Sequence, residues 1–159
     1  MKGAGPLRVY ADTSVFGGAF DEGFREPTRA FLEQVRSARF VLVTSVVVED
    51  EIEDAPSEVR RLFDATLTTA EVTFITEAVL RLQEVYLKAG IVPARCADDA
   101  LHVALATVAG CSAIVSWNFR HIVHFQKIAL YNAVNEANGF RAIAIHSPSE
   151  VIAYEDQDL

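Results

Sequence analysis

The sequence predicts an α/β fold with a mostly parallel central sheet of about five strands, and three observations carry that expectation. Short continuous apolar runs recur along the chain, segments of helical periodicity separate them, and no linker, repeat or low-complexity stretch breaks the alternation. Strands written as uninterrupted apolar runs are buried on both faces, as in a parallel sheet covered by helices. The 159 residues, 51% of them hydrophobic and 23% charged, are enough for one domain spanning 1–159.

Leu7 to Ala11 reads as the first buried strand and runs into Asp12-Thr13-Ser14, residues that start helices. Between Pro27 and Ala38 the positions Ala30, Phe31, Val35 and Ala38 recur at helical spacing. Phe40-Val41-Leu42-Val43 is a second strand, bounded by a cap signal at Thr44-Ser45, and a helix follows from Val46 to about Asp54. A further amphipathic helix covers Ser57 to about Thr68, and Val72 to Ile75 is a third strand. Glu77 to Lys88 is helical and closes at Gly90; Cys96 to Ala109 is a strongly apolar helix that closes at Gly110. Ala113 to Ser116 is a fourth strand, Lys127 to Ala137 a helix, and Ala142 to Ile145 a fifth strand before a turn at Ser147-Pro148.

Composition excludes several classes. No segment approaches the roughly 18 apolar residues of a membrane span. The opening residues pass at once into the first strand, which is too short and too soon acidic for a signal peptide, so the cytoplasm is the expected location. Cys96 and Cys111 lack CxxC spacing and are expected as buried reduced thiols. The formal net charge of −8 by itself argues against a nucleic-acid partner. Its distribution argues less strongly, because Ala100 to Asn135 contains no acid but holds Arg120, Lys127, His102, His121 and His124. The acids concentrate in Glu49 to Asp54 and in the tail around Glu155, Asp156 and Asp158. Such segregation can set a positive rim beside an acidic pocket, although taken alone the basic stretch is better explained as an ordinary solvated face.

Ligands of an open parallel sheet bind beyond the carboxyl ends of its strands. Asp12 follows the first strand directly and belongs to that crevice, with an N-cap as its simpler role. On the helix after the second strand, Glu51 lies four residues from Val47, three from Val48 and four from Ala55, on the side turned to the core. Glu49, Asp50, Glu53 and Asp54 read as a solvated face. A third acid comes from Asp98-Asp99 at the start of the apolar helix, where spacing alone does not choose between the two and the helix dipole favours both. Three acids brought together make an oxygen-rich site suited to a hard divalent cation such as Mg²⁺ or Mn²⁺.

Four stretches together resemble the PIN-domain family, particularly its VapC-like bacterial toxin members. They are Tyr10 to Gly18, Thr44-Ser45 through Glu51 to Pro56, Asp99-Ala100-Leu101-His102-Val103-Ala104, and Ser116-Trp117-Asn118-Phe119-Arg120-His121-Ile122. The similarity continues in order to Ile145 through Val151. It implies a three-layer α/β/α sandwich and Mg²⁺- or Mn²⁺-dependent cleavage of RNA, usually by a homodimer, with a small antitoxin protein as partner. By position, Asp12, Glu51 and Asp99 match the family's first three acids, as metal ligands and catalytic residues. The fourth acid is replaced by Asn118, which could hold a metal-bound water through its carbonyl oxygen but brings no charge. Thr13, Ser14, Arg120 and His121 are expected against the substrate. Trp117 could stack on a base, with packing at the end of the sheet as the plainer role. Gly17-Gly18 is expected to permit a tight bend.

Two rival readings come from other classes. A PIN-like module with a weakened acid set could bind RNA or protein without cutting it, which Asn118 and the net charge of −8 favour. A phosphotransferase using Asp12 as nucleophile lacks its usual DxDxT signature, since Thr13 and Ser14 follow Asp12.

Overall fold

The computed structural model describes residues 5–152; the acidic tail lies outside them. Five strands form one sheet: β1 (Leu7–Ala11), β2 (Phe40–Ser45), β3 (Glu71–Thr73), β4 (Ala113–Val115) and β5 (Ala144–His146). Their order is β3-β2-β1-β4-β5 and every pairing is parallel. β1 is central, with Val9 opposite Leu42 on one side and Ala113 on the other. This explains why its inner half, Val9 to Ala11, is fully apolar or aromatic and buried.

Helices α1 (Thr13–Gly18) and α2 (Arg25–Arg36) connect β1 to β2; α3 (Val46–Ile52) and α4 (Ser57–Leu67) connect β2 to β3. α5 (Glu77–Lys88) and α6 (Ala97–Val108) return the chain across the sheet to β4, α7 (Phe125–Ala137) leads to β5, and α8 (Pro148–Val151) follows. α1 to α4 and α8 pack among themselves, whereas α5 packs on α6 and α7. Right-handed crossovers running first one way and then the other from β1 put these two groups on opposite faces. The expected α/β architecture is therefore present, with helices on both sides of a wholly parallel sheet.

Side chains set the local boundaries. Asp12, Ser45 and Thr76 each cap a helix, accepting from the backbone N–H of Ser14, Val48 and Val79. α2 begins at Arg25, two residues before the expected start, because Pro27 falls in the first turn, where its missing N–H costs nothing. It ends at Arg36, and Ala38 then takes a left-handed φ of 67°, so the helix stops short of the expected Ala38. α5 and α6 close where expected, with Gly90 and Gly110 at φ 75° and 77°. β5 starts two residues later than the apolar run suggests, because the Asn132 side chain holds both backbone groups of Ile143, accepting at 2.7 Å and donating at 3.0 Å. Beyond β5, the expected turn is a single helical turn with a Ser147/Glu150 capping box. Among the described residues no helix is long and apolar enough to cross a membrane.

Candidate functional site

The chain reverses its direction of travel across the sheet between β1 and β4, and ligand crevices of open α/β folds lie at that switch point. Asp12 and Ser116 stand there, each immediately after its strand. The backbone joins them, since the Asp12 N–H donates to the Val115 carbonyl at 3.2 Å. So do the side chains, as the Ser116 hydroxyl donates to Asp12 Oδ2 at 2.7 Å. The other carboxylate oxygen accepts from Ser14 Oγ at 2.6 Å and from Ser14 N at 3.1 Å. Asp12 is 4% exposed. Burial pushes its carboxyl above the usual carboxylate range, and the Asp99 charge adds to this against the opposing pull of His102, Ser116 and Ser14.

Glu51 reaches the same region from α3. Its Oε1 accepts from the Thr13 hydroxyl and is 3.0 Å from His102 Nε2. Burial works against its charge, but His102 and Thr13 outweigh it and hold the carboxyl below its ordinary value. His102, only 3% exposed on α6, is fixed from behind: Nδ1 is 2.7 Å from the Tyr10 hydroxyl, which is 2.8 Å from Ser45 Oγ. Burial would lower the imidazole pKa, yet the Glu51 hydrogen bond and the charges of Asp12, Glu51 and Asp99 raise it. His102 thus senses all three acids singled out in the sequence.

Asp99 is half-buried near the start of α6, while its neighbour Asp98 is exposed. The three acids do not close into one compact set. Among the described residues, the group of ligand atoms lying within 4.8 Å of one another is Cys96, Asp99 and His121. Asp99 is therefore grouped with a thiol–imidazole pair, in which Cys96 Sγ is 3.3 Å from His121 Nε2. Cys96 is only half-buried, in contrast to the expected buried thiol, whereas Cys111 is buried and both are free. Glu49, expected on a solvated face, is half-buried.

The donor chemistry suits a magnesium-type ion. Asp12 is a carboxylate whose burial favours a compensating cation, and such ions keep several waters and need only one or two direct carboxylates, so widely set oxygens can still share one. Asn118 contributes differently from expectation. Its Oδ1 accepts from the backbone N–H of His121 at 2.9 Å and of Arg120 at 3.1 Å, so the oxygen that would hold a metal-bound water is committed to the turn. Thr13 and Ser14, expected against substrate, have their hydroxyls on Glu51 and Asp12 instead. Arg120 is exposed. Burial lowers the His121 pKa, and the charges of Lys127, Arg120 and Arg95 lower it further against Asp99.

Trp117 takes the packing role. Its ring stacks on Phe24 at 4.1 Å and 21°, and its Nε1 donates to Thr28 Oγ1 at 2.8 Å. Gly17 and Gly18 form the end of α1 with no left-handed φ, so the expected bend is not their purpose. A Cβ on Gly18 would lie 2.6 Å from Trp117 Nε1, while one on Gly17 would meet nothing within 4 Å. Sequence reasoning gave Ser116 and Tyr10 no role. The available signal for Ser116 was its place at the carboxyl end of the fourth apolar run.

Neither known family models nor characterised proteins match the chain. Among solved structures, a chain of VapBC2 from Rickettsia felis, crystallised with a DNA fragment from its promoter, is similar with a TM-score of 0.58 at 12% identity. The match covers 89% of this chain and 98% of that one. The fold is PIN-like. At this identity the similarity carries the architecture alone.

Proposed function

We propose that this PIN-like chain is a metal-dependent ribonuclease, the toxin of a toxin–antitoxin pair, which cuts RNA phosphodiester bonds at Asp12, Glu51 and Asp99 with Mg²⁺ or Mn²⁺. The observation that carries the reading is the buried, hydrogen-bonded Asp12 at the switch point, with Glu51 bonded to His102. A bound ion would neutralise phosphodiester charge and lower the pKa of water. Ser14 and Ser116 fix the Asp12 carboxylate, Thr13 and His102 fix Glu51, and Tyr10 holds His102. In this reading Arg120, which is exposed, and His121 would contact the substrate phosphate. A small antitoxin and a second copy of the chain are the partners this reading carries, with Phe125, 91% exposed, and Phe119 as apolar surface for them. The test is cleavage of single-stranded or loop-bearing RNA with Mn²⁺. The parent should cut and Asp12→Asn should not, with circular dichroism unchanged; equal cutting by both refutes the assignment.

One observation favours a second reading, a PIN-like module that binds without cutting. The position after β4 holds an asparagine whose oxygen is used up by the backbone, so no fourth acid supports a second ion. Calorimetric titration with Mn²⁺ separates the two, because a non-catalytic module gives no heat that depends on Asp12 or Glu51.

A further inference from the structure

We propose that Cys96, Asp99 and His121 form a site for a thiophilic divalent cation of the zinc class, which shares Asp99 with the carboxylate cluster. The ligand atoms lie within 4.8 Å of one another. A zinc ion bound at about 2.3 Å to sulfur and 2.0–2.1 Å to nitrogen holds those two atoms roughly 3.5 Å apart at a tetrahedral angle. Cys96 Sγ and His121 Nε2 are 3.3 Å apart. A plain thiol–imidazole hydrogen bond would need only these two, whereas the Asp99 carboxylate completes a three-ligand set with the fourth tetrahedral position open.

The scaffold is built before any ion arrives. Cys96 ends a 3-10 turn, with its N–H donating to Pro93 O at 2.8 Å, and Asp99 follows three residues later on α6. His121 is pinned at both ends, its N–H on Asn118 Oδ1 and its carbonyl accepting from the Tyr131 hydroxyl at 2.8 Å. Its Nδ1 is buried without a hydrogen-bond partner among the described residues, so no hydrogen bond on that side competes with an ion at Nε2. On binding, the Cys96 thiol gives its proton to solvent. Thiolate and carboxylate then supply two negative charges, which match those of the ion. Soft sulfur and borderline nitrogen select zinc over magnesium, while the all-oxygen set of Asp12 and Glu51 selects the reverse. Because Asp99 serves both sets, occupancy of one withdraws a ligand from the other, so zinc acts as an inhibitor. This last step rests on the nuclease reading.

Cobalt(II) titration of the full chain reads the site directly through thiolate-to-cobalt charge-transfer absorption. The parent, Cys111→Ser and Asp12→Asn should each show the band, Cys96→Ser should lose it, and His121→Ala should weaken binding at least tenfold. Absence of the band in the parent, or its survival in Cys96→Ser, overturns the proposal. In parallel, Zn²⁺ should stop Mn²⁺-supported RNA cleavage by the parent but not by Cys96→Ser; equal inhibition of both overturns the sharing of Asp99. A parent that shows the cobalt band yet never cuts RNA supports the Cys96 site and sinks only the nuclease reading.

Discussion

Replacing Gly18 with alanine tests whether a single close contact couples the first helix to the loop that completes the site. The added Cβ would lie 2.6 Å and 2.8 Å from Trp117 Nε1 and Cδ1, and 2.9 Å from Thr28 Oγ1. None of these can yield cheaply. The indole is stacked on Phe24 and bonded to Thr28, and the Thr28 hydroxyl donates onward to Phe24 O at 2.7 Å. Forcing one methyl into such packing costs about 1–3 kcal/mol. Gly17→Ala is the internal control, since its Cβ meets nothing within 4 Å and a helical Gly→Ala change gains up to about 1 kcal/mol. That gain is common to both variants, so at roughly 2–4 °C per kcal/mol for a chain of this size the clash should separate them by about 2–12 °C in Tm, with Gly18→Ala the lower. Trp117 is the chain's one tryptophan, so intrinsic fluorescence reports its displacement without interference. Equal Tm values with an unshifted emission spectrum would refute the close-contact account of Gly18.

Three further outcomes follow from the site. In chelator, Asp12→Asn should raise Tm, because a buried charge is removed; saturating Mn²⁺ at about 100 times its Kd should then stabilise the parent by roughly 2.7 kcal/mol and leave the variant unmoved. A variant that melts below the parent in chelator would contradict the burial penalty. Tyr10→Phe strips the hydroxyl shared by His102 and Ser45 and should cost about 1–3 kcal/mol in urea denaturation, whereas a loss under about 0.5 kcal/mol would mean the hydroxyl is dispensable. The Glu51–His102 pair should also give a pH window. Glu51 lies below its ordinary 4.5, so its contribution is present above that value and lost as pH falls through the folded one. His102 lies above its ordinary 6.5, so its contribution is complete below that value and lost as pH rises through the folded one. The Tm gap between parent and Glu51→Gln in chelator should therefore be widest between pH 4.5 and 6.5 and close on either side; a gap independent of pH would falsify the pairing.

Much of the architecture is written locally. Each strand is an apolar run wherever both faces are covered, and α5 begins and ends as its periodicity and Gly90 indicate. Where the sequence misleads, a long-range or very short-range partner decides. Asn132 delays β5 by holding Ile143, and the one-turn α8 is too brief for periodicity to register. The site divides the same way. Helical facing put Glu51 toward the core but left Asp98 and Asp99 tied, and only the fold separates an exposed side chain from a half-buried one. The Ser116 bond to Asp12, the Cys96 contact with His121 and the Asn118 turn all depend on loop conformations that no local pattern encodes.

The hydroxyl that steadies Asp12 lies 104 residues further along the chain, and the strand carrying it pairs with β1 only after three other strands have been made. A nascent polypeptide thus carries Asp12 well before the wall that encloses it, which is complete only once β4 and Ser116 have been synthesised. Any chemistry hosted there is withheld until that point, and fragments released before it are born without it.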